Sequence, residues 1–343
     1  MSVVLSEFEI VARYFAPLAH AWPGAYGLLD DAAVISPAPG NELVVKTDAI
    51  VSGVDFPAET TPDLIARKAL RVNLSDLAAK GARPRAYLLD LIVPGALEEA
   101  WFAEFAAGLA RDQREYGVTL IGGDTSSTPG PIVVAVSAFG EARAGRIIRR
   151  GGAQPGDALF VTGTVGDAAL GLGVLQGTCS AISGPSASFL VDRYRIPQPR
   201  VGLGPALVGL ATAAIDVSDG LVADLRHLCE VSQVDAVIDA ELVPLSPAAQ
   251  EAIAGDSGRL IGALTGGDDY ELLFSARPGA MESIRELSRS LGVPITRIGQ
   301  TASALQAGKP HLTVRDAAGR PLAFAAEGWT HFGGAICARQ SPA

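Results

Sequence analysis

The chain has 343 residues, enough for two domains at roughly 150 residues each, and 48% of them are hydrophobic against 19% charged. That balance is globular and speaks against disordered, collagenous and coiled-coil classes. The formal net charge of −10 and the lack of any Lys/Arg run speak against a nucleic-acid-binding surface, which needs a basic stripe.

The opening MSVVLSEFEIVARYF reads as an amphipathic helix with Phe8, Val11, Ala12 and Phe15 on one side. Glu7 and Glu9 interrupt its apolar run and no basic segment precedes it, so it is not a secretory signal. Residues 42–51 read as a strand reaching a corner at Thr47-Asp48. Residues 62–82 read as a helix broken at Gly81, and 86–93 as a strand. Residues 98–117 read as a strong helix with Trp101, Phe105 and Leu109 on one face and Gly117 as its cap. Two strands follow at 117–123 and 131–140.

The Gly/Arg-rich stretch 143–157 reads as a boundary, giving domains 1–145 and 146–343. Beyond it come a strand at 158–163 and a helix at 167–176. A small, polar loop covers Thr178 to Ser188. Residues 213–232 read as strand, corner and helix, and strands at 271–276 and 295–299 complete a second unit. The alternation indicates an α/β (α+β) architecture. No apolar stretch reaches the ~18 residues that span a bilayer. Cys179, Cys229 and Cys337 are scattered and odd in number, which fits a reducing cytosol and gives no metal motif. A cytoplasmic protein is expected.

Acidic residues recur where apolar segments end: Asp30-Asp31, Asp48, Asp76, Asp124, Asp216, Asp219 and Asp268-Asp269. Each alone reads as a turn or cap, Asp219 most of all. As a set they would be costly if they converged unpaired. Mg²⁺, a hard cation that takes carboxylate oxygens and bridges phosphates, would offset that cost. Gly122-Gly123 and Gly266-Gly267 would let backbone approach a ligand closely. Gly163-Thr164-Val165-Gly166, between strand and helix, could hold an anion but lacks GxGxxG spacing and reads as structural. There is no P-loop, no protein-kinase motif set, no GxSxG elbow and no metal spacing among the four histidines, and Cys229 reads as packing.

With these corners in order, the chain resembles the thiamine-monophosphate kinases of the aminoimidazole-ribonucleotide-synthetase-like superfamily. LLDDAAVI, KTDAIVSGVDF, RKALRVNLSDLAAKGA, LIGGDTSS, RRGGAQPGD, VTGTVGDAALGL, IDVSDGLVADL, TGGDDYELLF and GWTHF carry the resemblance, from about Glu7 to Phe332. It implies a homodimer in which N-terminal domains pair their sheets and each C-terminal domain covers a cleft. It also implies transfer of the ATP γ-phosphoryl group to thiamine monophosphate. By position, Asp31, Thr47, Asp48, Asp76, Asp124, Asp216 and Asp219 match magnesium ligands, and Mn²⁺ would substitute. Tyr116, Gly123, Asp124, Arg150 and Ser218 match ATP contacts, and Asp55, Asp268 and Trp329 match thiamine-phosphate contacts. Asp124, Arg150 and Asp216 are the implied catalytic residues. Four departures stand out. Leu29 replaces a glycine, Lys46 a Ser or Thr, and Asp55 a histidine, and an arginine after GGDTSS is missing. Asp55 also reads as a solvated turn residue, and Trp329 as packing for the tail. Another ATP-dependent enzyme of the superfamily and a non-catalytic nucleotide-binding relative are the alternatives. No reactive Cys in a glycine-rich N-terminal loop supports selenophosphate synthesis.

Overall fold

A computed structural model describes residues 5–180, 182–306, 308–326 and 328–329. The last three residues of the GWTHF motif, His331 among them, and Cys337 lie outside the described residues. The described residues form two compact units, one within Met1–Leu77 and Ala82–Ala144, the other within Ala78–Gly81 and Gly145–Gly333.

The first unit opens on α1 (Glu7–Ile10), where the Ser6 hydroxyl accepts from Glu9 N and the Glu9 carboxylate accepts from Ser6 N, a reciprocal cap. A π-turn over Val11–Phe15 leads into α2 (Ala16–Ala19). The wider turn rotates the apolar stripe, so Ile10, Phe15 and Ala19 are buried and Phe8 is 81% exposed. The expected Phe8-Val11-Ala12-Phe15 face is therefore corrected.

A four-stranded sheet follows, built from β1 (Asn41–Val51), β2 (Arg83–Pro94), β3 (Thr119–Thr128) and β4 (Val133–Arg143) in the order β1-β4-β2-β3. Only the β2–β3 pair is parallel among these strands. Tyr87, Leu89, Leu91 and Val93 alternate onto one face with Val134, Val136 and Ala138. Helices α3 (Pro62–Ala79) and α4 (Glu99–Tyr116) cover that face, and Gln113 Nε2 of α4 donates to Tyr87 Oη at 3.1 Å. On α4 the expected stripe is present: Phe105 and Leu109 are buried and the Trp101 ring stacks on Phe105 at 5.1 Å. The corner expected at Thr47-Asp48 is absent, since Thr47 pairs with Ser137 and Asp48 with Val136 in an unbroken ladder. β1 is an edge strand rich in β-branched residues, and its polar side chains reach solvent without leaving the strand.

The second sheet runs β10-β7-β9-β5-β8-β6, with β5 (Ala158–Thr162), β6 (Ala211–Asp216), β7 (Val234–Asp239), β8 (Leu272–Ala276), β9 (Ile295–Ser303) and β10 (Leu312–Arg315). Alternate residues of β5 feed two cores. Leu159 and Val161 pack with Leu221, Leu225 and Leu228 of α7 (Leu221–Ser232), while Phe160 stacks on Phe274 at 5.2 Å beside Ile284 of α10 (Met281–Leu291). A smaller cluster joins α5 (Asp167–Leu175), α6 (Gly184–Arg195), α8 (Pro247–Gly255) and α9 (Arg259–Thr265). The loop expected to reach Ser188 stops earlier. Ser183 accepts from Ser186 N and Pro185 sits in the first turn, so Ser-Gly-Pro starts α6. No helix among the described residues is long and apolar enough to cross a membrane.

One buried ion network ties α3 to α4. The Asp112 carboxylate, fully buried, accepts from Arg67 Nε at 3.0 Å and from Arg71 Nε and Nη2 at 2.6 and 2.8 Å. Asp112→Ala should cost about 3–5 kcal/mol in denaturant unfolding, because it strips a buried guanidinium of its principal counter-charge. Arg71→Met with Asp112→Leu should recover most of the loss. A single replacement costing under about 1 kcal/mol would show the pair to be peripheral to stability.

Candidate functional site

In the first unit the acidic residues do not form a single cluster. Asp31 is exposed, and its N–H donates to Asp30 Oδ1 at 2.8 Å. On β1, Lys46 and Asp48 point toward α3. Lys46 Nζ lies 3.1 Å from Asp48 Oδ1 and 3.0 Å from Asp76 Oδ2, so one ammonium bridges two carboxylates. Burial disfavours the Lys46 charge, but Asp76 and Asp48 outweigh it and hold its pKa above the ordinary lysine value. Burial pushes the Asp48 carboxyl up, with Lys46 pulling it down and Asp76 adding to the rise. Thr47, between them, points the other way, where its Oγ1 accepts from Ser137 Oγ at 3.1 Å.

Asp124 lies inside β3, not at its end, and accepts from Ser126 Oγ at 2.8 Å. It pairs with Asp90 of β2 at the edge of the sheet opposite β1. Three strand steps, about 14 Å, separate those edges. Gly123 has φ 148°, and a Cβ there would fall 1.8 Å from Leu89 O, so only glycine lets β3 close on β2 at this point. Its close approach is to the protein's own backbone. Tyr116 ends α4 under the Arg71 guanidinium, 5.0 Å from ring centroid to Cζ, and burial drives its pKa up. Asp55 Oδ2 accepts from Val51 N at 2.8 Å and its carbonyl accepts from Lys68 Nζ at 2.9 Å, which is the behaviour of a turn residue.

In the second unit, by contrast, several candidates share one rim. β6 ends at Asp216 and runs through Ser218 and Asp219 into α7. Val217 N donates to Glu271 O at 2.8 Å, Tyr270 N to Val217 O at 2.8 Å and Asp268 N to Ser218 O at 2.9 Å. Trp329 N donates to Asp219 O at 3.0 Å, which brings the tryptophan, 36% exposed, beside that loop. Asp268 and Tyr270 hold φ 73° and 52°, strained for non-glycine residues. Asp269 turns inward. Its carboxyl oxygens accept from Gly166 N at 2.6 Å and Ala168 N at 3.3 Å, so the start of α5 is taken up by a carboxyl of the chain itself, in line with a structural role for that loop. Burial holds the Asp269 carboxyl well above the usual carboxylate range. Arg150 is exposed, and its carbonyl accepts from Ser232 Oγ at 3.1 Å.

Sequence reasoning missed Asp224. Its Oδ2 accepts from Ser218 N and Asp219 N, both at 3.0 Å, so Asp224 ties this loop to the start of α7. Burial, then Asp216 and Asp219, push its carboxyl up to about 8. The signal was an Asp in the first turn of an apolar helix. Among the described residues no group of three or more His, Cys, Asp or Glu could hold a metal ion by itself.

A Cβ at Gly267 would lie 2.1 Å from Ser218 O, whereas Gly262, in α9, has open space. Gly267→Ala should therefore cost about 1–3 kcal/mol by prising the two loops apart, and Gly262→Ala should be neutral or gain up to ~1 kcal/mol. Equal effects in thermal denaturation would mean that the loops do not pack as described.

Residues 29–142 match the family model of the AIR synthase related protein N-terminal domain, and residues 154–305 that of the C-terminal domain. The thiamine-monophosphate kinase of Caulobacter vibrioides is 43% identical over 298 residues, covering 86% of this chain and 84% of that protein. The crystal structure of thiamine-monophosphate kinase from Stenotrophomonas maltophilia superposes with a TM-score of 0.80 at 40% identity, covering 91% of this chain and 98% of that one. AaThiL complexed with AMPPCP and TMP superposes with a TM-score of 0.74 at 30% identity, covering 90% of this chain and 97% of that one. The expected two-domain α/β class is that of these relatives, and the chain belongs to the thiamine-monophosphate kinase family.

Proposed function

We propose that the protein phosphorylates thiamine monophosphate to thiamine diphosphate with ATP, by direct in-line transfer, as a cytoplasmic homodimer. The observation that carries this reading is the rim on the second unit, where Ser218, Asp219, Asp268 and Trp329 are joined through backbone hydrogen bonds. A phosphate ester with a cationic aromatic body needs such a mixture of polar backbone, acid and aromatic face. AaThiL, bound to an ATP analogue and TMP, supports the same pair of ligands for this chain.

In the step itself, an anionic phosphate oxygen of thiamine monophosphate attacks the γ-phosphorus of ATP. A new O–P bond forms, the β–γ bridging bond breaks, and ADP departs with its electron pair. The nucleophile is already charged at neutral pH, so positioning and charge neutralisation suffice without a strong base. On the second unit, Arg150 and Ser218 contact ATP, while Asp268 and Trp329 orient the thiamine body. Asp55, whose Oδ2 closes its own turn, is the weaker substrate contact.

Mg²⁺ or Mn²⁺ fits the donor chemistry of Asp216 and Asp219, whose crowding beside Asp224 shows in the upward push on that carboxyl. The carboxylates of Asp31 and Asp124 and the neutral hydroxyl of Thr47 are further oxygen donors. When bound, the metal supplies charge neutralisation to the phosphates. The oxygens of Asp48 and Asp76 that face Lys46 already hold an ammonium and do not fit a metal between them. Thr47 and Asp124 lie on opposite sheet edges, and pairing two copies through those edges would bring them together.

Purified protein, ATP, Mg²⁺ and a panel of phosphorylated metabolites test the reading. Thiamine monophosphate should be the preferred acceptor, with inversion at a chiral γ-phosphorus, and Asp124→Asn should keep under about a tenth of turnover. A phosphoenzyme formed from ATP alone, or retention of configuration, would exclude direct transfer. Trp329→Ala should raise KM for thiamine monophosphate about 5- to 30-fold through lost stacking and cation–π contact, leave KM for ATP unchanged, and be partly rescued by Phe. If both constants stay at wild-type values while Tm falls, Trp329 is a packing residue.

A further inference from the structure

The short cation–carboxylate contacts at Lys46 carry a consequence for the metal count. Two carboxylates, Asp48 on an edge strand and Asp76 on α3, face one another, and the group between them is a lysine ammonium at hydrogen-bond distance from each. The Lys46 side chain is 30% exposed and Asp76's is 15%, so water screens this pair only in part. Two facing carboxylates in such a place need a cation. A divalent ion would sit at ~2.1 Å from the same oxygens, inside the volume that Nζ fills, so the two occupants are mutually exclusive.

We propose that Lys46 is a built-in counter-ion that takes the place of one divalent cation between Asp48 and Asp76. The lysine fixes a single charge there permanently, positions the two carboxylates when no nucleotide is bound, and leaves metal ions to the remaining acidic residues. The inference deepens the metal-assisted reading above. It is tested without nucleotide or turnover, so its failure and the failure of the kinase assay are separate results.

Mn²⁺ binding to the full, nucleotide-free chain is counted from the electron paramagnetic resonance signal of free Mn²⁺. Lys46→Ser, which vacates the space and leaves both carboxylates, should bind about one Mn²⁺ more per chain than the wild type. Lys46→Arg keeps the charge and should bind the wild-type number. In parallel, Tm of Lys46→Ser should fall in chelator and rise on adding millimolar Mn²⁺ by more than that of the wild type. Lys46→Met, which keeps the packed stem without its charge, should show the same metal-dependent gain. Equal Mn²⁺ counts in the wild type and both neutral variants overturn the proposal. So does an extra ion in Lys46→Arg, or neutral variants whose Tm ignores Mn²⁺.

Discussion

Carboxylates cannot be gathered in a half-buried space without something positive beside them, and the fold answers that constraint differently at each place. Between Asp48 and Asp76 the answer is an ammonium. Beneath α4 it is a guanidinium pair, Arg67 and Arg71 on Asp112. At Glu271, fully buried, Arg193 Nη2 donates at 2.9 Å and Arg200 Nε at 2.6 Å. Asp269 and Asp224 instead use backbone N–H groups, at the start of α5 and in the loop before α7. Where neither kind of partner suffices, as around Asp224, the carboxyl is pushed toward neutrality.

Much of the architecture was legible because its signals are local. The α4 stripe and the β-branched runs of β1, β2 and β4 follow from periodicity and from burial of one face. The misses share another cause. A π-turn is invisible to a 3.6-residue pattern, which is why that pattern puts Phe8 on the apolar face although it is exposed. Glycine, proline and serine read as breakers and so extend the expected loop to Ser188, although Ser183 and Pro185 are also how helices begin.

At the candidate site the residue types were legible and their places were not. The sequence pattern puts Asp48 at a strand corner and Asp124 at a strand end, yet both lie within strands, whereas Asp76 lies within the expected helix. Polar residues interrupt an edge strand at no cost in hydrogen bonds, so sequence alone cannot tell an edge from an end. The two neighbours in Gly-Gly-Asp-Asp-Tyr illustrate the finer limit. Asp269 is buried on helix N–H groups and Asp268 stays on the rim, a division set by the backbone angle at Asp268 and by nothing in its composition.

That backbone angle raises the question of what holds it. Asp268 and Tyr270 each occupy a left-handed conformation, costing of order 1–3 kcal/mol apiece. Hydrogen bonds on both sides of Asp269, to Ser218 and Val217, fix the strained peptides, while Asp269 itself is anchored at α5. One residue further, Glu271 locks the chain. Its carboxylate gathers Arg193, Arg200 and Thr162, and its carbonyl accepts from Val217 N. The buried network therefore does more than stabilise the second unit. By clamping the chain immediately after Tyr270, it holds the strained segment in place, so Asp268 is kept beside Ser218. Under the proposed function, preorganisation of this kind would lower the ordering cost of binding, and the loop that carries Asp268 rests on one of the most heavily paired charges in the unit.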